Sequence, residues 1–378
     1  MYEAQPLGGK IMTRPFKVMM VFALLAFVVL IWRFLFGLGA VTNLSHGYPW
    51  GIWIVYDVVT ATAIACGGYS MALLVYIFNK GEYHPLVRSA LLASMFGYTL
   101  AGFAIFVDIG RYWHMYNVFL PWFSNVNSVM FEVAFSIGCY IFIMWIEFSP
   151  TFLEAAKKNK FLKSVKKIMF VFIALGVLFP TMHQSSLGTL MVVAGNKLSP
   201  LWQTELLPLL FLTTSITMGF AVVVFESLYS SYNFGRPYET KLLSKLAGLI
   251  PKLIIFYLIV RFADLIWRGA MGDAFTLSRY SFFFWIENLL YRYVVVMLYS
   301  EESRGNRKTL FYGAVLMLLA GGLYRFDVFL IGFDPGMGWH YFPSLGEIFI
   351  TLGMIAIELM AYLVFVKKLP VLPKVEHV

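Results

Sequence analysis

The sequence predicts an all-α integral membrane protein with ten transmembrane helices. The chain of 378 residues is 60% hydrophobic and only 13% charged, and its mean hydropathy is +0.76. Apolar runs recur along it, each near the roughly 20 residues that a helix needs to cross a bilayer core of about 30 Å. This composition excludes soluble globular classes. The runs are also too long and continuous for the alternating ~10-residue strands of an outer-membrane barrel.

Ten apolar runs define the predicted spans. In chain order they cover residues 18–38, 50–78, 86–109, 126–146, 168–190, 204–225, 246–271, 280–299, 309–331 and 343–366. The first run is too long for a signal peptide and no small-residue cleavage site follows it, so an uncleaved first helix is expected. None of the runs is clearly broken near its middle.

A weak internal repeat predicts how the spans are grouped. Gly67 follows Trp50, and Gly219 follows Trp202, at the same offset of seventeen residues. Spans two to five and six to nine are therefore predicted to form two four-helix bundles, with spans one and ten outside them. The expected division is an N-terminal segment with the first helix (1–45), a first bundle carrying the candidate site (46–195), a second bundle (196–335), and the last helix with its tail (336–378).

Lys and Arg in the connections predict the orientation. Most of the 29 Lys and Arg residues lie in one set of connections and near the two ends, whereas Arg111, Lys197, Arg268 and Arg279 lie in the other set. Both termini are therefore predicted to be cytoplasmic. The net charge of +9 follows from this topology and gives no support to nucleic-acid binding. The longest inward connection, residues 154–167, is predicted to form an amphipathic helix at the lipid surface.

Ionisable residues inside the spans gather toward the outer side. A helix rises ~1.5 Å per residue, so Asp57, Glu132 and His183 are expected about 10 Å below the outer boundary. Asp108 lies at the outer end of span three, and Arg111 would share its face if the helix continues. Charges inside a bilayer are costly unless they face protein or water, so this cluster marks a candidate functional site.

Two carboxyl groups and an imidazole at this depth suit a reaction that moves protons together with electrons. Quinone reduction needs donors and acceptors at the ring oxygens, a proton route and an apolar slot for the tail. His183 can exchange a proton near neutral pH, and Asp57 and Glu132 can act likewise in a buried site. The candidate ring contacts are Tyr69, Tyr112, Trp113 and Phe131.

A second set of charges lies in and beside the later spans. Arg261, Asp264 and Arg268 share one stripe of span seven because they are three and four residues apart. Structural ion pairs are the simpler interpretation, because intramembrane charges commonly pair with one another. A proton path toward the cytoplasm is the alternative, and its candidate residues are Arg261, Asp264, Glu287, Arg292, Glu226 and Glu358.

Two other classes of protein compete with a quinone site. Haem with two axial histidines needs rings that face one another from helices at matching depth. His183 alone lies within a predicted span, and two cysteines are too few for an iron–sulfur cluster, so no haem and no metal are expected. A secondary transporter is suggested by the repeat and the buried charges, and broken helices near the midplane would favour it.

Distinctive blocks of sequence are spread along the chain. They are QPLGGK at 5–10, GYPWGIW at 47–53 followed by Asp57, ACGG at 65–68, FNKG at 78–81, YHPLVR at 83–88, DIGRYW at 108–113, NSV at 127–129, FE at 131–132, PTMHQSS at 180–186 and YFP at 341–343. These blocks resemble the NrfD/PsrC family of quinone-interacting integral membrane subunits, and most closely the HybB branch that accompanies periplasmic [NiFe] hydrogenases. The similarity runs through essentially the whole chain.

The resemblance implies a haem-free, multi-pass subunit of a bacterial inner membrane that binds menaquinone or ubiquinone near the periplasmic face. It implies a ferredoxin-like iron–sulfur subunit as electron partner, together with the small and large subunits of a [NiFe] hydrogenase. The chain would then carry the quinone site of a hydrogen:quinone oxidoreductase complex, with coupled proton uptake or translocation and no metal centre of its own. Another periplasmic oxidoreductase of the NrfD type is the alternative complex.

The resemblance also implies roles for residues inside the matched blocks. His183 and Asp57 are expected at the quinone oxygens and Glu132 as a proton exchanger, with Asp108 and Arg111 as a scaffold. The full set of candidate quinone-binding residues is Asp57, Tyr69, Asp108, Arg111, Tyr112, Trp113, Glu132 and His183.

Overall fold

The computed structural model describes residues 4–374. Within this range ten helices are long and apolar enough to cross a membrane, which confirms the predicted all-α membrane class. In chain order they are α1 (Arg14–Phe36), α2 (Trp53–Ile77), α3 (Gly81–Asp108), α4 (Val129–Ala155), α5 (Asn159–Lys197), α6 (Leu207–Phe234), α7 (Thr240–Trp267), α8 (Arg279–Leu298), α9 (Arg307–Ile331) and α10 (Leu345–Lys368). The orientation of the termini stays a prediction.

Short elements occupy the connections and the two ends. Helical turns lie at Leu38–Ala40, Tyr112–Phe119, Ala270–Phe275 and Glu301–Gly305. Near the ends, β1 (Ala4–Gln5) pairs antiparallel with β2 (Leu372–Pro373).

The predicted surface helix at 154–167 is wrong. Helix α4 continues to Ala155, the chain turns at Lys157 with a φ of 54°, and α5 then begins at Asn159. Four of the six lysines of this segment, Lys160, Lys163, Lys166 and Lys167, therefore lie on the first turns of a spanning helix. Long lysine side chains can reach the polar interface from such turns, so the segment does not need to lie flat on the lipid.

Helix α2 departs from regular α-helix in two places. Its first part, Trp53–Thr60, has π-helical turns, which often occur at functional sites. Farther along, the α-helical segments Ala61–Ile64 and Gly67–Ala72 are separated by a turn. The expectation of an unbroken span is therefore wrong for α2. Gly67 and Gly68 follow the turn, and glycine tolerates irregular backbone better than other residues.

The chain forms two compact units. Unit 1 contains the described residues up to Thr62, Val87–Pro180 and those from Met337 onward, and unit 2 contains Ala63–Leu86 and Thr181–Gly336. The four-part division expected from the sequence stays a prediction, and its extreme ends at 1–3 and 375–378 lie outside the described residues.

Unit 1 has an apolar core beside Asp57. Its buried members are Val41, Trp53, Val58, Ala104, Val107, Ile137, Ile350 and Met354. Helix α1 packs along α10, and Gly353 makes this approach possible because a Cβ there would overlap the side chain of Ala26.

Unit 2 has an aromatic core. The ring of Tyr257 lies 5.0 Å from that of Tyr291 and 5.5 Å from that of Tyr324, and all three side chains are almost fully buried. Helices α2 and α6 pack closely at Gly219, where a Cβ would lie 2.5 Å from the carbonyl oxygen of Cys66.

Candidate functional site

Asp57 has the least exposed side chain among the predicted acids in unit 1. It lies in the π-helical part of α2 and its side chain is 5% exposed. The hydroxyl Oγ1 of Thr351 on α10 donates a hydrogen bond to Asp57 Oδ2 at 2.7 Å. A buried carboxylate requires such donors, because burial without hydrogen bonds is costly. Helix α10 therefore takes part directly in the surroundings of Asp57.

The motif at 47–53 is fixed by residues close to and within α10. The indole Nε1 of Trp53 donates to the carbonyl oxygen of Glu347 at 3.1 Å, and the backbone N–H of Ile52 donates to the hydroxyl of Tyr341 at 2.8 Å. That hydroxyl donates in turn to Glu347 Oε1 at 2.6 Å. Burial and the bond to the Glu347 carboxylate raise the pKa of Tyr341 well above its usual value. Gly51 is required here, since a Cβ would lie 2.7 Å from Glu347 Oε1.

The cation whose charge acts on Asp108 is Arg33, not the predicted Arg111. Helix α3 ends at Asp108 and Arg111 lies beyond it in an exposed position, so the shared helical face predicted for these two residues is not formed. Arg33 of α1 is 1% exposed and donates to the carbonyl oxygens of Val107 at 2.7 Å and Ile109 at 2.6 Å. Its charge also acts on Asp108. Asp108 Oδ1 is buried and accepts no hydrogen bond from the described residues.

The remaining candidates of unit 1 lie at its outer connection. Tyr112 opens the short helix Tyr112–Phe119, and its ring lies 4.9 Å from that of Phe34. Trp113 is more than half exposed, and Glu132 lies partly buried in the first turn of α4. Unit 1 therefore contains Asp57, Asp108, Arg111, Tyr112, Trp113 and Glu132.

His183 and Tyr69 belong to unit 2. His183 is fully buried in α5, three residues after Pro180. The hydroxyl of Tyr69 shares a hydrogen bond of 2.7 Å with Thr181 Oγ1, so Tyr69 contacts the turn of α5 that carries His183. The expected convergence of His183 with the acids of unit 1 stays a prediction.

The second set of charges forms ion pairs inside unit 2. Arg261 Nη1 lies 3.1 Å from Glu287 Oε1, and both side chains are almost completely buried. Glu287 also accepts hydrogen bonds from the indole of Trp202 at 3.0 Å and the hydroxyl of Tyr257 at 3.1 Å. Buried ion pairs persist when further hydrogen bonds compensate their desolvation, and the Glu287 carboxylate has such bonds.

The other candidates for a proton path are dispersed. Asp264 pairs with Arg268 at 2.8 Å and accepts a hydrogen bond from Thr204 at 2.9 Å. Arg292 is exposed on α8 and Glu226 is partly buried on α6. Glu358 lies on α10 and belongs to unit 1, unlike the rest of this set.

A cavity of about 270 Å³ lies in unit 2. Its lining includes Lys197, Ser199, Asp273, Tyr280 and Asp334. The residues predicted for quinone binding do not line it.

The fold and these buried groups define a polytopic α-helical membrane protein with carboxyl groups, an imidazole and a compensated ion pair inside its spans. The model of the family described as polysulphide reductase, NrfD, matches residues 40–333. The chain therefore belongs to the NrfD family.

Similar proteins are membrane subunits of redox complexes. The chain is 43% identical to the probable Ni/Fe-hydrogenase 2 b-type cytochrome subunit of Escherichia coli (strain K12), over 100% of this chain and 97% of that one. It is 26% identical to the menaquinone reductase integral membrane subunit of Nitratidesulfovibrio vulgaris Hildenborough, over 89% and 86%. It is 22% identical to the Hdr-like menaquinol oxidoreductase integral membrane subunit of Archaeoglobus fulgidus, over 88% and 87%.

Family membership and the ten apolar helices establish a multi-pass protein of the bacterial inner membrane. Its relatives belong to hydrogenase and reductase complexes, so the chain works with partner subunits in the bilayer.

A haem and a quinone make different demands on the residues of their sites. A haem with two axial histidines needs facing imidazoles in neighbouring helices. Among residues 4–374, His183 is the histidine in a helix interior, His84 lies in the first turns of α3, and the others lie in connections. This set does not fit such a haem, whose absence stays a prediction. A quinol hydroxyl needs a buried acceptor, and Asp108 Oδ1 provides one.

Proposed function

We propose that this chain is the quinone-reactive membrane subunit of a periplasmic [NiFe] hydrogenase complex. It exchanges electrons between a ferredoxin-like iron–sulfur subunit and menaquinone or ubiquinone. The observation that carries the proposal is a pair of carboxyl groups in unit 1. Asp57 is buried and accepts a bond from Thr351, and Asp108 is half-buried with an Oδ1 atom that is buried and accepts no hydrogen bond from the described residues. The relatives named as hydrogenase and menaquinone reductase subunits support it.

One quinone takes two electrons from the iron–sulfur partner and two protons from the protein, and the product is one quinol. Asp57 and His183 bind the ring oxygens and pass protons to them, and Glu132 exchanges protons with the outer aqueous phase. Tyr69, Tyr112 and Trp113 contact the ring, while Asp108 accepts a bond from a quinol hydroxyl and Arg111 lies at the outer edge.

Coupled proton translocation toward the cytoplasm is also part of the proposed function. Its candidate residues are Arg261, Asp264, Glu287, Arg292, Glu226 and Glu358. The Arg261–Glu287 ion pair favours a structural role for two of them, because moving a proton onto Glu287 would leave Arg261 as an uncompensated buried charge.

Substitutions in the purified complex test the quinone assignment. Asp57→Asn and His183→Asn keep the approximate size of each side chain and remove its proton chemistry. Hydrogen-dependent reduction of menadione should fall about 100-fold or more, the usual contribution of a general acid or base. Hydrogen oxidation with a soluble viologen dye should be retained, because it bypasses the membrane subunit.

Exposed residues of the same types provide matched controls. Asp273→Asn and His114→Asn, both in connections, should leave menadione reduction unchanged. Wild-type activity in both Asp57→Asn and His183→Asn would refute the quinone site. A complex that contains an iron–sulfur subunit but no hydrogenase would instead identify another oxidoreductase of the NrfD type.

A secondary transporter is the second candidate, and the interruption of α2 after Ile64 favours it. Affinity purification from mildly solubilised membranes separates the two functions. An iron–sulfur subunit in stoichiometric amount supports the redox assignment, and recovery of the chain alone supports transport.

A further inference from the structure

The connection between α3 and α4 folds back onto α4. Its short helix Tyr112–Phe119 ends with the ring of Phe119 against Gly138, where a Cβ would lie 2.7 Å from Phe119 Cζ. Gly138 comes nine residues after Val129, the first residue of α4, so this contact lies about 13 Å along the helix from its start. Part of the connection therefore lies beside a spanning helix instead of projecting away from the membrane.

The stripe of α4 under this connection continues into an exposed position. Its members follow one another at spacings of three and four and are Phe131, Phe135, Gly138 and Phe142. The ring of Phe119 lies 6.2 Å from that of Phe135, which stacks on Phe131 at 5.3 Å. One turn beyond Gly138, Phe142 is 75% exposed. Such exposure in the middle of a spanning helix is typical of a position that faces lipid.

The opposite face of α4 packs into unit 1. Ile137 belongs to the apolar core of this unit, and the ring of Tyr140 lies 4.6 Å from that of Tyr98 on α3. Both side chains of α4 are almost completely buried. The stripe under the connection therefore points away from the protein core, toward the surroundings of a membrane-spanning helix.

The connection itself presents large aromatic side chains and no formal charges. Trp122 is 73% exposed and Phe123 is 62% exposed, and Trp113 and Tyr116 are also exposed. Residues 112–130 include no Asp, Glu, Lys or Arg. Aromatic side chains are enriched where a protein meets the membrane–water interface, whereas a surface that docks another protein has a polar rim.

We propose that residues 112–126, called the aromatic segment, lie in the bilayer leaflet on the predicted outer side, and that phospholipid covers the exposed rings of Trp122 and Phe123. The segment is an interfacial element, with its backbone near the lipid headgroups and its rings among the upper parts of the acyl chains. The inference goes beyond the proposed function and does not depend on any quinone chemistry.

The backbone of the aromatic segment is bonded as such a position requires. Polar backbone groups need partners within the protein where water is scarce. Ser124 Oγ bonds to the carbonyl oxygens of Asn117 at 2.7 Å and Val118 at 3.0 Å. The backbone N–H of Phe123 donates to the carbonyl oxygen of Leu120 at 3.0 Å. The turn after the short helix thus satisfies carbonyl groups internally while its rings stay exposed.

The position of the segment has a consequence for access. Tyr112 and Trp113, two of the candidate ring contacts, are its first residues. A molecule dissolved in the same leaflet reaches these two side chains without passing through water. The lipid phase is where long-tailed, apolar substrates dissolve.

Spin labels on the whole complex in phosphatidylcholine–phosphatidylglycerol nanodiscs test the inference. Cys66→Ala and Cys139→Ala remove the native thiols. A nitroxide is then attached at Trp122→Cys or Phe123→Cys. The lipid reference is Phe142→Cys on the exposed stripe of α4, and the water reference is Lys158→Cys in the exposed turn between α4 and α5. Collision rates with oxygen, which concentrates in lipid, and with a water-soluble nickel chelate are measured for each label.

Labels at Trp122→Cys and Phe123→Cys should collide with oxygen about as often as the label at Phe142→Cys. Their collision rate with the nickel chelate should fall well below that at Lys158→Cys. A nickel rate as high as at Lys158→Cys would place the segment in water and overturn the inference. Low rates with both reagents would show that a partner subunit covers the rings, which would overturn it as well.

A second measurement keeps both native thiols. Phospholipids brominated near the headgroup end of the acyl chains quench the fluorescence of tryptophans that they touch. Trp122→Phe should lower the quenched fraction of the complex, because it removes an indole in contact with lipid. Trp53→Phe removes a fully buried indole and should not lower this fraction. An unchanged quenched fraction in Trp122→Phe would contradict the lipid contact.

Discussion

Arg33 Nε donates a hydrogen bond to the carbonyl oxygen of Val107 at 2.7 Å, which ties α1 to the end of α3 within unit 1. Carbonyl groups at a helix end lack intrahelical partners, and inside a membrane protein they need another donor. One guanidinium satisfies two of them here and places its charge near Asp108. Arg33 thus belongs to the surroundings of Asp108. It lies on α1, a helix that the sequence placed outside the two predicted bundles.

Replacing Arg33 should destabilise unit 1. Arg33→Met removes the hydrogen bonds that the Val107 and Ile109 carbonyl oxygens accept from the guanidinium, so we expect the free energy of unfolding to fall by about 2 kcal/mol or more. Arg33→Lys keeps the charge but lacks the fork of donors, and its loss should be smaller. Thermal unfolding in detergent measures both, and Arg292→Met on the exposed surface of α8 is the control. Equal unfolding temperatures for Arg33→Met and Arg292→Met would contradict this role.

Gly51 should accept no larger residue. In Gly51→Ala the new Cβ meets the Tyr341 ring carbon Cζ at 2.9 Å and Glu347 Oε1 at 2.7 Å, so the contact between the 47–53 motif and the start of α10 must open. We expect a lower unfolding temperature and weaker menadione reduction, because the motif leads into Asp57.

Removing one obstacle tests this explanation. Tyr341→Phe deletes the hydroxyl, so the double variant Gly51→Ala with Tyr341→Phe should be less destabilised than the sum of the two single variants. Gly39→Ala has open space around the new methyl group and should behave as wild type. Strict additivity of the two substitutions would show that the overlap with Tyr341 is not the cause.

The sequence predicted the spans better than the contacts between them. Hydropathy and length identify the ten helices because crossing a bilayer imposes one physical condition on each segment. Depth counted along a helix likewise found Asp57 as a buried acid. The partner of Asp57 could not be found in this way, because Thr351 is 294 residues away and only tertiary packing brings it close.

Two wrong expectations have local causes. Charge density at 154–167 indicated a surface helix, but the same lysines suit the first turns of a long spanning helix. Spacing indicated that Arg111 follows Asp108 on one face, yet the helix ends between them. An arginine inside span one, at Arg33, was the signal that a buried acceptor had to exist nearby.

The Arg261–Glu287 pair should be important for stability and less so for turnover. Arg261→Met or Glu287→Gln leaves one buried group without its counter-charge, and each should cost about 3–5 kcal/mol. The double variant Arg261→Met with Glu287→Gln removes both charges and should be more stable than either single variant. Calorimetric or thermal unfolding in detergent measures the difference. A double variant as unstable as the sum of the two would contradict a paired role.

Gly219 should be essential for the packing of α6 against α2 in unit 2. A methyl group there would lie 2.5 Å from the carbonyl oxygen of Cys66, and backbone cannot move aside as a flexible side chain can. Overpacking of this kind costs about 1–3 kcal/mol, so Gly219→Ala should lower the unfolding temperature although alanine favours helix. Gly272→Ala, in a connection with open space, is the matched control.

Because Tyr69 lies farther along α2 and bonds to Thr181, a displaced α2 should also weaken menadione binding measured by tryptophan quenching. Unchanged stability and unchanged binding in Gly219→Ala would show that the two helices do not need this close approach.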